Sequence, residues 1–133
     1  MSIHTVWDDP DHRILRQIFP QHWTLDEYRH LVERTNKLLM GLDHTVHIIV
    51  DGRESERAPS NILSIARYVD SRIAPNQGTV VVLGADDFVR TVIEAAKRIA
   101  PRATADVYLV DTLEEAHAVL AMNAVAEQGH NPR

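Results

Sequence analysis

Five short apolar runs, each bounded by turn residues, predict the β-strands of this protein. They span residues 3–7, 13–19, 46–51, 79–83 and 106–110. Proline and aspartates fill the short segment 8–12 between the first two runs, and because these residues favour tight reversals, the pair predicts an antiparallel hairpin. The run 46–50 is almost continuously apolar, which is typical of a strand covered on both faces.

Apolar residues at spacings of three and four predict four helices. Two of them begin at capping boxes, Thr24 with Glu27 and Thr112 with Glu115, in which each side chain satisfies a free backbone N–H group. A further helix opens at Asp86 and Asp87, where negative charge suits the positive end of the helix dipole. Its predicted buried stripe consists of Phe88, Val92, Ile93, Ala96 and Ile99. The remaining helix follows the segment 52–61 and carries an apolar stripe over 62–73.

The elements follow the order β-β-α-β-α-β-α-β-α, which predicts a single-domain α/β fold over residues 1–127. Right-handed crossovers then give a mostly parallel sheet with helices packed on it and an antiparallel hairpin strand at its start. With 133 residues, 44% of them hydrophobic, the chain is long enough to bury a core without disulfides. Residues 128–133 are expected to form a flexible tail.

Composition excludes several classes of function. The net charge of −5, without any Lys/Arg cluster longer than a pair, argues against a nucleic-acid partner. No apolar run approaches the roughly 18 residues needed to span a bilayer, so we expect no membrane insertion. The chain has no cysteine and starts without a basic and apolar leader, which favours a soluble, cytoplasmic protein.

The most informative segment is the apolar strand that ends at Asp51 and continues into a charged loop. In open α/β sheets, ligands and partners gather at the carboxyl ends of the strands. We therefore expect a protein partner to bind the loop 52–59 and the first turn of the following helix. The candidate partner-binding residues are Asp51, Arg53, Glu54, Ser55, Glu56, Arg57, Ser60 and Asn61.

Two segments resemble the STAS domains, the family of sulfate-transporter and anti-sigma-factor-antagonist domains. The strand 48–51 followed by 59–61 is similar to the family's strand, aspartate and D-S-S-G helix start, and 108–116 is similar to its closing strand and helix. The resemblance implies a non-enzymatic regulatory domain that signals by binding a protein. It also implies that Ser60 is a candidate phosphoacceptor, although Pro59 replaces the family's aspartate and Asn61 its next serine. The alternative for Ser60, and the one we favour, is the N-cap of the following helix.

The histidines and the remaining hydroxyl groups predict neither a metal site nor a catalytic site. His44 and His47 lie three positions apart on a strand, where side chains three apart point to opposite faces. A catalytic set of Ser60, His47 and Asp51 fails because roughly 13 Å of extended chain separates the histidine from the aspartate. We therefore expect no enzyme activity, no bound metal and no cofactor.

Two further functions remain open. The same architecture could carry a small apolar ligand or a lipid between its helices and strand ends, or it could serve as a structural homodimer or larger homo-oligomer. A continuous apolar cavity of more than about 300 Å³ would favour the carrier. A filled core with an exposed apolar patch beside residues 53–57 would favour protein recognition.

Overall fold

The computed structural model of the protein, which describes residues 2–130, contains a five-stranded mixed sheet. The strands lie in the sheet in the order of the sequence, β1 pairs with β2 antiparallel, and all later neighbours are parallel. Their bounds are β1 His4–Trp7, β2 Ile14–Ile18, β3 Val46–Asp51, β4 Gln77–Leu83 and β5 Val107–Val110. The predicted α/β fold with an N-terminal hairpin is therefore confirmed.

Four α-helices and one short 3-10 helix pack on the sheet. They are α1 Leu25–Met40, the 3-10 helix Ile62–Ile65, α2 Ala66–Ser71, α3 Asp87–Ile99 and α4 Leu113–His130. None of the described helices is long and apolar enough to cross a bilayer. Of the tail predicted over 128–133, the first three residues continue α4, and 131–133 lie outside the described residues.

The hairpin and both capping boxes form as the sequence predicts. The Asp9 carboxylate accepts the backbone N–H groups of Arg13 and Ile14, each at 2.9 Å, and so closes the turn. At the start of α1, Thr24 Oγ1 accepts the Glu27 N–H at 3.1 Å, and the Glu27 carboxylate accepts the Thr24 N–H at 3.0 Å. Thr112 and Glu115 make the same reciprocal pair at the start of α4.

Topology decides which face of the sheet each helix covers. Strands β2 to β5 follow one another across the sheet, and right-handed crossovers in one direction leave every connecting helix on the same face. That face carries α1, α2 and α3, with the core residues Leu15, Leu39, Val46, Ile48 and Ala74. Helix α4 packs on the opposite face, with the core residues Ile49, Val81, Leu83, Val110, Ala116 and Leu120.

The structure corrects two predictions about the helices. Ser60 is not a helix N-cap: it lies exposed in a turn, and Asn61 precedes the 3-10 helix without making any side-chain cap bond. Backbone bonds from Ile62 N–H to the Pro59 carbonyl and from Ser64 N–H to the Asn61 carbonyl close this turn. These bonds between residues three apart start a 3-10 helix, which leaves no role for a serine cap.

Phe88 is the second correction. Its side chain is 38% exposed, whereas the sequence pattern placed it in the buried stripe of α3. The neighbouring Val89 faces the sheet instead. It lies three positions before Val92 and four before Ile93. Both residues fit the helical spacing, so the sequence pattern alone could not choose between them.

Candidate functional site

A partly open apolar pocket of about 220 Å³ lies between the sheet and the layer formed by α2 and α3. Its floor consists of valines on β3, β4 and β5, namely Val50, Val80, Val82 and Val107. Its roof comes from the 3-10 helix and α2, with Ile62, Leu63, Ile65, Ala66 and Val69. Helix α3 closes the side with Val89, Val92, Ile93, Ala96 and Ala100.

The pocket exists because the residues that cover this half of the sheet are short or only partly inserted. None of the residues of α2 is buried, and the 3-10 helix buries only Ile65. The buried residue of α3 is Ala96, whose side chain is a single methyl group. Empty apolar space of this kind costs stability, because the lining atoms lose dispersion contacts.

The loop that follows β3 forms the mouth of this pocket. Gly52, Ser55 and Ala58 line it from this loop, and Gly84, Ala85 and Asp86 line it from the loop after β4. Gly84 has a φ of 82°, and a Cβ atom there would lie 3.1 Å from the Arg53 Cα. Glycine thus allows both the left-handed backbone and the close approach of the two loops.

Most polar groups around the pocket already have partners. Trp23 Nε1 donates to Ser55 Oγ at 2.8 Å, and Thr104 Oγ1 donates to the Ala100 carbonyl at 2.9 Å. Asp86 Oδ1 accepts the Val89 N–H at 2.9 Å and so caps α3. The Ser55 hydroxyl, which accepts one bond, keeps its own proton for a further acceptor.

Tyr28 is the polar residue of the pocket without a partner. Its ring packs against Phe19 and Trp23, with ring centroids 6.1 and 5.9 Å away. Burial raises the pKa of its hydroxyl, so the group stays neutral at ordinary pH. The hydroxyl group makes no hydrogen bond to any of the described residues. It is not fully occluded either, because Arg16 Nε is the only fully occluded side-chain nitrogen or oxygen atom without a partner among them. Tyr28 as a whole is half-buried and lines the pocket, and its hydroxyl group keeps some exposed surface.

Asp51 lies buried at the carboxyl end of β3, where Arg53 holds its carboxylate. Arg53 donates from Nε and Nη2 at 2.9 and 2.8 Å, and from its backbone N–H at 3.2 Å. Burial alone would raise the pKa of Asp51. The hydrogen bonds from Arg53, with the positive charges of Arg53 and Arg16, outweigh burial and hold that pKa below its usual value.

The loop 52–61 is fixed against the segment before α1. Besides the Trp23 bond to Ser55, the Glu56 N–H donates to the Gln21 carbonyl at 3.0 Å, and the Gln21 side chain donates to the Glu56 carboxylate. Of the eight predicted partner-binding residues, Asp51 is buried and Ser55 half-buried. The exposed ones are Arg53, Glu54, Glu56, Arg57, Ser60 and Asn61.

His44 and His47 lie apart from the site. His47 Nδ1 accepts the Thr79 N–H at 2.9 Å near the start of β3, far from Asp51 at its end. His44 Nε2 lies 2.8 Å from the His12 carbonyl. Within the described part of the chain, no three His, Asp or Glu side chains are grouped so as to hold a metal ion.

Reasoning from the sequence found the loop but missed the pocket beside it. Tyr28 gives no signal in the sequence, because a tyrosine at helical spacing gives no sign that its hydroxyl group lacks a partner. One signal was present: Ala96 and Ala100 place small residues on the inner face of α3, opposite valines rather than leucines. Comparisons of the chain with protein-family models, curated proteins and solved structures give no match.

Proposed function

We propose that this protein is a non-enzymatic binding protein that holds a small apolar molecule between α2, α3 and the sheet. The observation that carries the proposal is the partly open pocket with its predominantly apolar lining. Concave apolar sites with a few polar groups are the usual form of a ligand pocket. The pocket also lies at the carboxyl ends of β3 and β4, where open α/β sheets bind ligands.

The volume limits the ligand. About 220 Å³ exceeds the roughly 150 Å³ of an apolar cavity that binds benzene. It falls short of the roughly 300 Å³ expected above for a carrier, at which pockets for drug-sized ligands begin, so the proposal is confined to smaller ligands. A ligand with about six buried carbon atoms fits this range. At roughly 0.8 kcal/mol per buried methylene group, six of them contribute about 5 kcal/mol before the cost of association is subtracted, so we expect a Kd no tighter than about 0.3 mM.

A blocking substitution tests the proposal. Ala96→Leu places a larger side chain in the pocket, whereas Ala95→Leu adds the same atoms on the exposed side of the same helix. Titration with hexanol, followed by calorimetry, should show saturable binding to the wild-type protein and to the Ala95 variant. The Ala96 variant should bind at least tenfold more weakly. Equal binding by both variants, or no binding to the wild type, would contradict the proposal.

Protein recognition through the loop 52–61 is a second candidate function. One observation favours it: the loop is fixed by bonds to Gln21 and Trp23, yet its charged side chains face solvent. A preformed, exposed loop binds a partner without a large loss of conformational entropy. On this proposal the protein is a cytoplasmic regulator of the STAS type, and Ser60 is exposed enough for a kinase to reach it. A homodimer would use the same surface symmetrically.

Charge reversal separates this candidate from the first. Arg57→Glu and Ser60→Asp change the charge of the loop, and Arg98→Glu makes the matched change in the last turn of α3. If the loop recognises a protein, including a second copy of this chain, the loop variants should alter its affinity more at low salt than at high salt. The Arg98 variant should bind as the wild type does. A partner that binds all four proteins equally does not use this loop.

A further inference from the structure

We propose that the pocket selects a neutral, chain-like ligand with one hydrogen-bonding group, an alcohol or a carbonyl, which binds at Tyr28 and Ser55. The inference rests on the proposed ligand-binding function and adds to it the class of ligand and its orientation. Three features of the pocket carry it: its length, the two uncommitted hydroxyl groups at one end, and the charge of its lining.

The pocket is long compared with its volume. Val89 lines it from the first turn of α3 and Ala100 from the residue directly after the helix, and at 1.5 Å per residue they lie about 16 Å apart along the helix axis. Ala103, Thr104 and Val107 line it at the far end of the sheet from the mouth. A volume of about 220 Å³ spread over this distance suits a single extended chain rather than a ring system.

The hydrogen-bonding capacity of the pocket is concentrated at one end. Ser55 accepts the Trp23 indole N–H, and the Tyr28 and Trp23 ring centroids lie 5.9 Å apart, so both residues are neighbours of the same indole. The Tyr28 hydroxyl can donate and accept one bond each, and Ser55 can still donate one. At the other end, the Thr104 hydroxyl donates to the Ala100 carbonyl and can therefore only accept from a ligand. A carbonyl, which needs a donor, and an alcohol, which can use a donor and an acceptor together, are both better matched beside Trp23.

The charge of the lining disfavours an anionic ligand. Asp86 is the charged residue among those that line the pocket, and neither lysine nor arginine lines it. The N-terminal amides of α3 could attract an anion, but the Asp86 carboxylate already caps them and Asp87 follows it. A buried ligand carboxylate would meet this negative charge without a cation to compensate its desolvation.

Four six-carbon probes test shape, polarity and charge on the whole chain: hexane, hexanol, hexanoate and cyclohexanol. Calorimetric titration of the wild type should show hexanol binding at least threefold more tightly than cyclohexanol and than hexanoate. Tyr28→Phe removes only the hydroxyl group, and it should weaken hexanol binding by about three- to tenfold, the usual value of one hydrogen bond. Hexane binding should change by less than twofold. Tyr108→Phe, at an exposed tyrosine on β5, is the matched control and should change neither.

Asp86→Asn tests the charge argument, since asparagine caps a helix about as well as aspartate. This variant should bind hexanoate several-fold more tightly and hexanol within twofold of the wild type. If Tyr28→Phe leaves hexanol binding unchanged, or weakens hexane equally, or if the wild type prefers hexanoate or cyclohexanol, the inference is overturned while the pocket stands. If none of the probes binds the wild type, the inference and the proposed ligand-binding function fail together.

Discussion

The two halves of the helical layer on one face of the sheet are built differently. Over β2 and β3, helix α1 runs for sixteen residues from a capping box and buries Leu31, Thr35 and Leu39. Over β3 and β4, the chain forms only a four-residue 3-10 helix and the six-residue α2, with no side-chain cap on either. The first half is filled, and the second contains the pocket.

The difference shows how local signals decide where a fold leaves space. A capped helix with leucines on its inner face can insert deeply between neighbouring strands. A four-residue 3-10 helix followed by a six-residue α-helix is too short to carry such a stripe across the strands. The neighbouring α3 buries the small Ala96, whereas α1 buries Leu39, and the space between α2, α3 and the sheet therefore remains open.

Truncation of one core residue in each half should give the largest contrast. Leu39→Ala removes a fully buried side chain from the filled half and should cost about 2–5 kcal/mol of unfolding free energy. Val69→Ala removes a half-buried side chain that already borders empty space, so it should cost less than about 1 kcal/mol. Urea unfolding of both variants measures the difference. Equal costs would show that the two halves are equally well packed.

Enlarging a buried alanine should reverse the contrast, with the core under α4 on the opposite face as the filled region. Ala116→Leu on α4 forces extra volume into a core where this alanine is fully buried, and it should cost about 1–3 kcal/mol. Ala96→Leu fills existing space instead, so the free energy of unfolding should stay within about 1 kcal/mol of the wild-type value or rise. Thermal unfolding without ligand tests the pair. A loss of several kcal/mol for the Ala96 variant would mean that the pocket cannot accept a side chain.

Asp51 ends the strand that the two halves share, and its ion pair should make stability depend on pH. Because its pKa is lowered in the folded state, the ionised carboxylate stabilises the fold above the ordinary carboxyl pKa of about 4. That contribution is lost as the pH falls below about 4 towards the folded-state pKa. Asp51→Asn should cost about 1 kcal/mol at neutral pH, since Arg53 is partly exposed, and the cost should shrink in acid. A cost that is independent of pH would exclude the ion pair as its source.

The helix starts should give the smallest contrast. Thr24→Ala removes one side of the capping box of α1 and should cost about 1 kcal/mol. Asn61→Ala should cost close to nothing, because the Asn61 side chain caps no helix. Unfolding midpoints of the two variants, measured under identical conditions, test the comparison. A destabilised Asn61 variant would reveal a role of this side chain other than capping.

Much of the fold could be predicted because its signals are local. The three crossover helices, the hairpin turn closed by Asp9, and the capping boxes at Thr24 and Thr112 each depend on residues within a few positions of one another. The loop after β3 was also predicted, since a buried strand ending in an acid and a charged segment marks the carboxyl edge of a sheet. The weakest local prediction was the Ser60 cap, where the Pro59 and Asn61 carbonyls close the turn instead.

The sequence by itself determined the order of the elements, the start of each capped helix and the position of the charged loop, because backbone conformation and capping depend on near neighbours. Only the tertiary structure decided that α4 covers the opposite face and that Tyr28 lines a pocket without a partner for its hydroxyl group. These outcomes depend on distances between residues far apart in the chain. An empty space between α2, α3 and the sheet is a property of how three elements fit together, and no single segment encodes it.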